Sequence, residues 1–177
     1  MIKLLTPDIR TATLYDAEAI ARIHLCSWQK MYKDFIPEDI LQNLSLNERS
    51  QQWHDFIKQK IKVLVMEIDN QIIGFASICA FDADNSMGEI SAIYLHPDYW
   101  RMGFGTKLCQ AAISELANLG YSKILLWVFE ANIQAQKFYD SLGFSAANST
   151  KLEEFYDGGA LLKEVLYQKI IYVPQKV

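Results

Sequence analysis

The chain has 177 residues, 51% hydrophobic and 21% charged, which suits one domain with a sizeable core and excludes a disordered chain. A net charge of −4 argues against a general nucleic-acid binder. Cys26, Cys79 and Cys109 sit in apolar surroundings with no Cys-x-x-Cys spacing, so they read as buried thiols of a reducing compartment, not as a disulfide set or a zinc site. The N-terminus has no apolar signal core and no run is long enough to span a bilayer, so the expected location is cytoplasmic and no membrane partner is expected.

The first strand is predicted over Ile9 to Ala12. Thr13 and Asp16 have the spacing of a capping box. Ala17, Ile20, Ala21, His24 and Trp28 follow at helical spacing, so a helix runs to about Met31, where Phe35-Ile36-Pro37 breaks the pattern. A short helix spans Glu38 to Asn43, and a second capping box, Ser45 with Glu48, opens a helix from Leu46 to about Gln59. Strand patterns then take over. Val63 to Ile68 and Gln71 to Phe81 flank the turn dipeptide Asp69-Asn70 and form a hairpin, in which Gly74 marks a bulge or a close approach. Asp82 to Gly88 reads as a polar loop and Glu89 to Leu95 as the next strand. A helix reaches about Leu119 and is stopped by Gly120. Ile124 to Val128 is a continuous apolar run of the kind found in buried strands. Asn132 to Leu142 is helical, Gly143 ends it, and Phe144 begins an extended segment. The last two strands, roughly Leu152 to Tyr156 and Leu161 to Ile171, flank the turn Asp157-Gly158-Gly159. There are no repeats or linkers, so residues 1–177 read as one α/β domain with a mixed sheet.

The stretch Leu95 to Leu108 carries the chemistry. Strand gives way to helix across Trp100-Arg101-Met102-Gly103-Phe104-Gly105-Thr106, with two glycines where the helix begins. Helix starts leave backbone N–H groups without internal acceptors, the helix dipole favours an anion there, and glycine lets the anion come close. A phosphate or pyrophosphate fits, with Arg101 and Lys107 adding charge at the rim; a plain tight turn is the alternative. Leu108 stands where a dinucleotide fingerprint needs its third glycine, and there is no P-loop, His-Glu-x-x-His or nucleophile elbow. No three residues have metal-ligand spacing, and His24, His54 and His96 read as structural.

These residues resemble the GCN5-related N-acetyltransferases, the GNAT superfamily. Its signature, Gln/Arg-x-x-Gly-x-Gly/Ala, is matched at Gly103 and Gly105, while Trp100 departs from the first position. A second segment, Asn132 to Phe144, is similar to the family's Asn-x-x-Ala-x-x-Phe-Tyr-x-x-x-Gly-Phe at every fixed position. The resemblance implies a mostly antiparallel central sheet flanked by helices, with two central strands splayed to bind the cofactor. It implies acetyl-CoA as cosubstrate without a metal, a primary amine of a small molecule or peptide as acceptor, and direct transfer in a ternary complex. A homodimer is compatible with it. The pyrophosphate is expected on the N–H groups of Arg101, Met102, Gly103, Phe104, Gly105 and Thr106, and the pantetheine arm along Ile93, Tyr94 and Leu95. Tyr139 aligns with the acid that protonates the leaving thiolate, although a core tyrosine beside Phe138 fits the same pattern. Asn132 can bond the CoA arm, cap its helix, or do both. Glu89 is the candidate base for the amine, or else an exposed strand-end carboxylate. Trp28 and Tyr32 are candidates to hold a cationic acceptor, against ordinary core packing. A non-catalytic acetyl-CoA sensor is the alternative function.

Overall fold

The computed structural model describes residues 6–155 and 161–172. These residues form a mixed α/β fold built on one seven-stranded sheet, in the order β1-β2-β3-β4-β5-β7-β6. The strands are β1 (Asp8–Thr11), β2 (Lys62–Ile68), β3 (Gln71–Phe81), β4 (Asp84–Leu95), β5 (Lys123–Phe129), β6 (Ser145–Glu154) and β7 (Leu161–Ile170). The helices are α1 (Ala17–Met31), α2 (Glu38–Gln42), α3 (Leu46–Lys58), α4 (Phe104–Asn118) and α5 (Ile133–Ser141). Pairing of β1 with β2, β2 with β3, β5 with β7 and β6 with β7 is antiparallel. At the centre β4 and β5 run parallel, and their ladder consists of Gly88↔Ile124 and Glu89↔Leu125. The chain divides into two compact units, Met1–Ile78 with Ala92–Ala112, and Cys79–Ser91 with Ile113–Val177.

In the first unit the predicted caps do their work. Glu48 N–H donates to Ser45 Oγ at 3.2 Å and starts α3. The Asp16 carboxylate accepts from Thr13 N–H at 2.7 Å and from its hydroxyl at 2.9 Å, closing a 3₁₀ turn, Leu14–Asp16, ahead of α1. The apolar stripes of α1 and α3 bury Ile20, Ala21, Ile23 and Trp53 with Val63, Val65 and Phe75 of the strands. Gly74 is both of the things expected of it. The β2–β3 register shifts between Met66 and Glu67, opposite Gly74 and Ile72, which is a bulge. A Cβ on Gly74 would also lie 2.5 Å from Leu95 Cδ2 and 2.9 Å from the Tyr94 carbonyl oxygen, so β4 crosses here at a distance only glycine allows.

In the second unit β5 lies between its neighbours and buries Ile124, Leu125, Leu126 and Val128. Cross-paired residues point to the same face, so register sorts the side chains. Ile124, Leu126 and Val128 share the face of Tyr167 and Lys169, where Tyr139 of α5 packs against Tyr167. The other face carries Glu89, Leu125 and Trp127, then Glu164 on β7 and Lys151 on β6. Gly88 is a close approach, since a Cβ there would meet Leu116 Cδ2 at 2.9 Å and the Tyr121 ring at 3.0 Å.

Two strands start earlier than the sequence suggests. The segment Asp82 to Gly88, expected as loop, contains the first turn residues of a tight hairpin and the first five residues of β4, so Glu89 lies within the strand instead of opening it. β6 begins at Ser145, with a register irregularity between Ala146 and Thr150. The predicted turn Asp157-Gly158-Gly159 and the end of the strand expected at Tyr156 lie outside the described residues.

Candidate active site

The turn after β4 has the conformation that its glycines suggest. A 3₁₀ turn, Pro97–Tyr99, follows the strand, and two residues then take left-handed backbone angles, Arg101 at φ 65° and Gly103 at φ 81°, before α4 begins at Phe104. Turns with left-handed residues at the start of a helix can aim successive N–H groups to one side, which makes an anion-binding concavity. Apart from its immediate chain neighbours, nothing lies within 4 Å of where a Cβ of Gly103 would sit, so the space above it is open. Gly103 C=O accepts from Lys107 N–H at 3.3 Å, leaving the N–H groups of the first turn of α4 to face outward without an intrahelical acceptor. Arg101 and Lys107 are exposed beside it. The cradle therefore fits a pyrophosphate by backbone geometry, by open space and by charge.

Trp100, the departure from the signature, has a definite job. Its indole N–H donates to the Leu95 carbonyl at 2.7 Å, tying the loop back to the end of β4. Ser27 on α1 donates its hydroxyl to the same oxygen at 2.8 Å. This revises the three backbone partners expected for pantetheine. His96 N–H bonds Ile73 C=O on β3, and the Tyr94 carbonyl lies against Gly74 of β3, so alternation turns Tyr94 towards β3 and Ile93 and Leu95 away from it. With both lone pairs of the Leu95 carbonyl taken, Leu95 has its N–H to offer, and Tyr94 is no longer a backbone candidate.

Tyr94 contributes a side chain instead. Its hydroxyl accepts from Trp28 Nε1–H at 2.9 Å, and its ring stacks on His24 with centroids 4.6 Å apart. Trp28 and Tyr32 meet edge to face at 6.2 Å, as two residues four apart on a helix should. The Trp28 face carries a cation from the chain itself, because the Arg49 guanidinium lies 4.6 Å from the ring centroid. Tyr32 is buried. His24 Nδ1 accepts from Trp53 Nε1–H at 3.1 Å, and burial, assisted by Arg49, holds the His24 pKa well below the usual range, so the ring is neutral. A cavity of about 520 Å³ opens between the C-terminal half of α1 and the Pro97–Tyr99 turn, lined by Cys26, Lys30, His96 and Trp100 among others; Trp28 and Tyr32 do not line it.

In the second unit, Asn132 caps α5 by accepting from Ala135 N–H at 3.0 Å. One lone pair of its side-chain oxygen is thus used by the helix. Tyr139 is 8% exposed and packs its ring against Phe138 and Phe144 at centroid distances of 5.1 and 5.8 Å. Glu89 is half-buried, and its carboxyl is pushed above the usual range mainly by burial and further by Asp82 and Glu164, while Lys151 pulls it down. Sequence reading missed Lys151 and Glu164. Their signal was present as charges of opposite sign on neighbouring strands, but their meeting depends on register. Cys109 is buried, whereas Cys26 and Cys79 are only partly so. Among the described residues no three His, Cys, Asp or Glu side chains group as metal ligands do, and no helix is long and apolar enough to cross a membrane.

Comparison with known proteins agrees with the turn and the sheet. A family model, the acetyltransferase (GNAT) family, matches residues 25–144, a span that runs through both compact units. The uncharacterized N-acetyltransferase YuaI of Bacillus subtilis is 30% identical over 164 residues, covering 89% of each chain. Among solved structures, the putative acetyltransferase yncA of Salmonella typhimurium, with its cofactor acetyl-CoA, superposes with a TM-score of 0.69 at 21% identity, covering 96% of each chain. The PaiA N-acetyltransferase of Thermoplasma acidophilum, in complex with coenzyme A, gives a TM-score of 0.71 at 19% identity, covering 94% of this chain and 99% of that one. The chain belongs to the GNAT acetyltransferase family.

Proposed function

We propose that the chain acts as one catalytic domain that transfers the acetyl group of acetyl-CoA to a primary amine of a small molecule or a peptide, by direct attack in a ternary complex. The observation that carries this reading is the turn at Arg101 and Gly103, left-handed at both and open above the second, at the start of α4. The backbone N–H groups from Arg101 to Thr106 hold the pyrophosphate, and the Ile93 and Leu95 backbones receive the pantetheine arm as an added strand would. A backbone N–H of that strand polarises the thioester carbonyl. Acetyl-CoA supplies an already activated acyl group, so the chain needs no nucleophile of its own. Glu89 takes the proton of the amine, directly or through a water, and burial raises its proton affinity towards that of a useful base. Tyr139 gives a proton to the departing thiolate. The Trp28–Tyr32 side of α1 faces the acceptor, with Arg49 on the Trp28 ring tempering the charge that it welcomes.

Thiol release from acetyl-CoA, measured with a panel of primary amines and with product masses determined, tests the reaction, and calorimetry tests the cradle. Wild-type protein is expected to bind CoA and to turn over with at least one amine. Gly103→Glu places a charged side chain at a left-handed position over the cradle and is expected to abolish CoA binding in a folded protein. Unchanged affinity in that variant would remove the cradle assignment. Binding without turnover for any amine would favour a non-catalytic acetyl-CoA sensor.

A further inference from the structure

The face of the second unit that carries Glu89 is organised around a cation from the sheet edge. Glu89 pairs with Leu125, and Trp127 is the next residue of β5 on that face. With about 3.4 Å per residue and about 4.8 Å between strands, their backbones are about 8 Å apart. Lys151 belongs to β6, two strands further out, where it pairs with Glu164. Its side chain reaches back across β7, and Nζ lies 4.8 Å from the Trp127 ring centroid. Two carboxylates pin it there, Glu153 at 3.0 Å and Glu164 at 3.3 Å. A lysine with no task beyond solubility would extend into water, since holding its four torsions costs rotamer entropy. Here the aromatic face and two carboxylates hold the ammonium against Trp127, on the face of the sheet that carries Glu89.

We propose that Lys151 is a positioning residue for Glu89: its ammonium, held on Trp127 by Glu153 and Glu164, is the fixed counter-charge that keeps the Glu89 carboxylate ionised and ready to accept the amine proton. The role in catalysis rests on the reading of Glu89 as the base. The titratable groups that face Glu89 are Asp82 and the neutral thiol of Cys79 from β3 and its turn, Lys151 from β6 and Glu164 from β7. Lys151 is the one cation among them. The carboxylates of Asp82 and Glu164 work the other way, as burial does. Glu164 therefore has two opposed effects, anchoring Lys151 while repelling charge on Glu89, and it is itself half-buried with its pKa raised.

The sign follows directly. Loss of the ammonium leaves Glu89 facing only like charges, so its carboxyl protonates at higher pH. Loss of the Glu164 charge has the opposite effect, because Glu153 still holds Lys151. The test is a ¹³C NMR titration of the Glu89 side-chain carboxyl in the free protein, in wild type, Lys151→Met, Lys151→Arg and Glu164→Gln. Lys151→Met keeps an apolar stem on Trp127 and is expected to move the Glu89 midpoint up by about half a pH unit or more, as a partly screened charge at this range should. Lys151→Arg is expected to restore the wild-type midpoint, and Glu164→Gln to lower it. An unmoved midpoint in Lys151→Met overturns the inference; should that variant fail to fold, an unmoved midpoint in Lys151→Gln overturns it equally. The pH profile of kcat/KM, taken with the best amine of the panel, supplies the link to catalysis. Its acidic limb is expected to follow the NMR midpoints across the variants and to be absent in Glu89→Gln. If Glu89→Gln keeps the wild-type limb, Glu89 is not the base and the catalytic part of the proposal falls, while the titration still decides whether Lys151 governs the Glu89 charge.

Discussion

At the scale of single residues, the site mixes groups that do one thing with groups that do two. Tyr139 is the clearest case for separating them. Its ring sits among Phe138, Phe144 and Tyr167, and it is buried, so packing explains the ring without the hydroxyl. Tyr139→Phe keeps that packing and removes the proton donor. General acid catalysis contributes about 10²–10⁴-fold, so kcat is expected to fall by about that factor with acetyl-CoA affinity nearly unchanged. Near-normal kcat would return Tyr139 to the core. What was legible at this scale came from local chemistry: Thr13 with Asp16, Ser45 with Glu48, and Asn132 as a cap each satisfy nearby backbone or side-chain donors. The Leu95 carbonyl was not legible. Its two donors, Ser27 and Trp100, are 68 and 5 residues away, and a spacing of that kind has no periodic signature.

At the scale of elements, the helices were readable from apolar stripes, which burial of one face imposes, and β5 from its continuous apolar run, which burial of both faces imposes. The starts of β4 and β6 were not. Asp84 and Ser86 read as loop, and Ser145 to Ser149 have low strand propensity; Ser145 and Ala146 enter β6 by pairing with Gln168 and Tyr167, which side-chain pattern does not report. Register was equally silent, and with it the meeting of Glu89, Trp127, Lys151 and Glu164 on one face. Gly74 shows what an element-level contact demands. Adding one methyl group there brings Cβ to 2.9 Å from the Tyr94 carbonyl, a backbone atom that cannot move without moving β4. Gly74→Ala is expected to cost about 1–3 kcal/mol in urea denaturation. It is also expected to weaken acetyl-CoA binding, since Ile93 and Leu95 flank the displaced residue. Loss of stability with unchanged CoA affinity would mean that this part of β4 does not carry the pantetheine arm.

At the scale of the whole molecule, the fold class was set by the order of elements and by two motifs in sequence, and the strand order agrees with it. Global stability carries a pH dependence that comes from one corner of the first unit. Arg10 donates to both oxygens of Asp16, at 2.8 and 3.0 Å, and to Glu67 at 3.2 Å. These bonds, led by the Arg10 guanidinium, bring the Asp16 carboxyl from 3.8 down to about 2. A carboxyl held lower in the folded than in the unfolded state stabilises the fold above its unfolded value, and that contribution is lost as pH falls through the folded value. Asp16→Asn is therefore expected to cost about 1–2 kcal/mol at pH 7, the size of the shift being discounted for the partly exposed Arg10. Wild type and variant are expected to converge as the pH is lowered from about 4 towards about 2, read by urea denaturation at a series of pH values. A gap that stayed constant over that range would assign the cost to packing.

The left-handed backbone of Arg101 has a consequence for how this chain can change. A side chain at φ 65° carries a conformational cost of about 1–2 kcal/mol that glycine would not. Selection for heat resistance alone would favour Arg101→Gly, which relieves the strain and gives up the charge at the rim. If the turn holds a pyrophosphate as proposed, selection for tight acetyl-CoA binding would favour the arginine. On the proposed reading of the cradle, position 101 is thus a point where a thermostability screen and an acetyl-CoA binding screen are expected to pull in opposite directions.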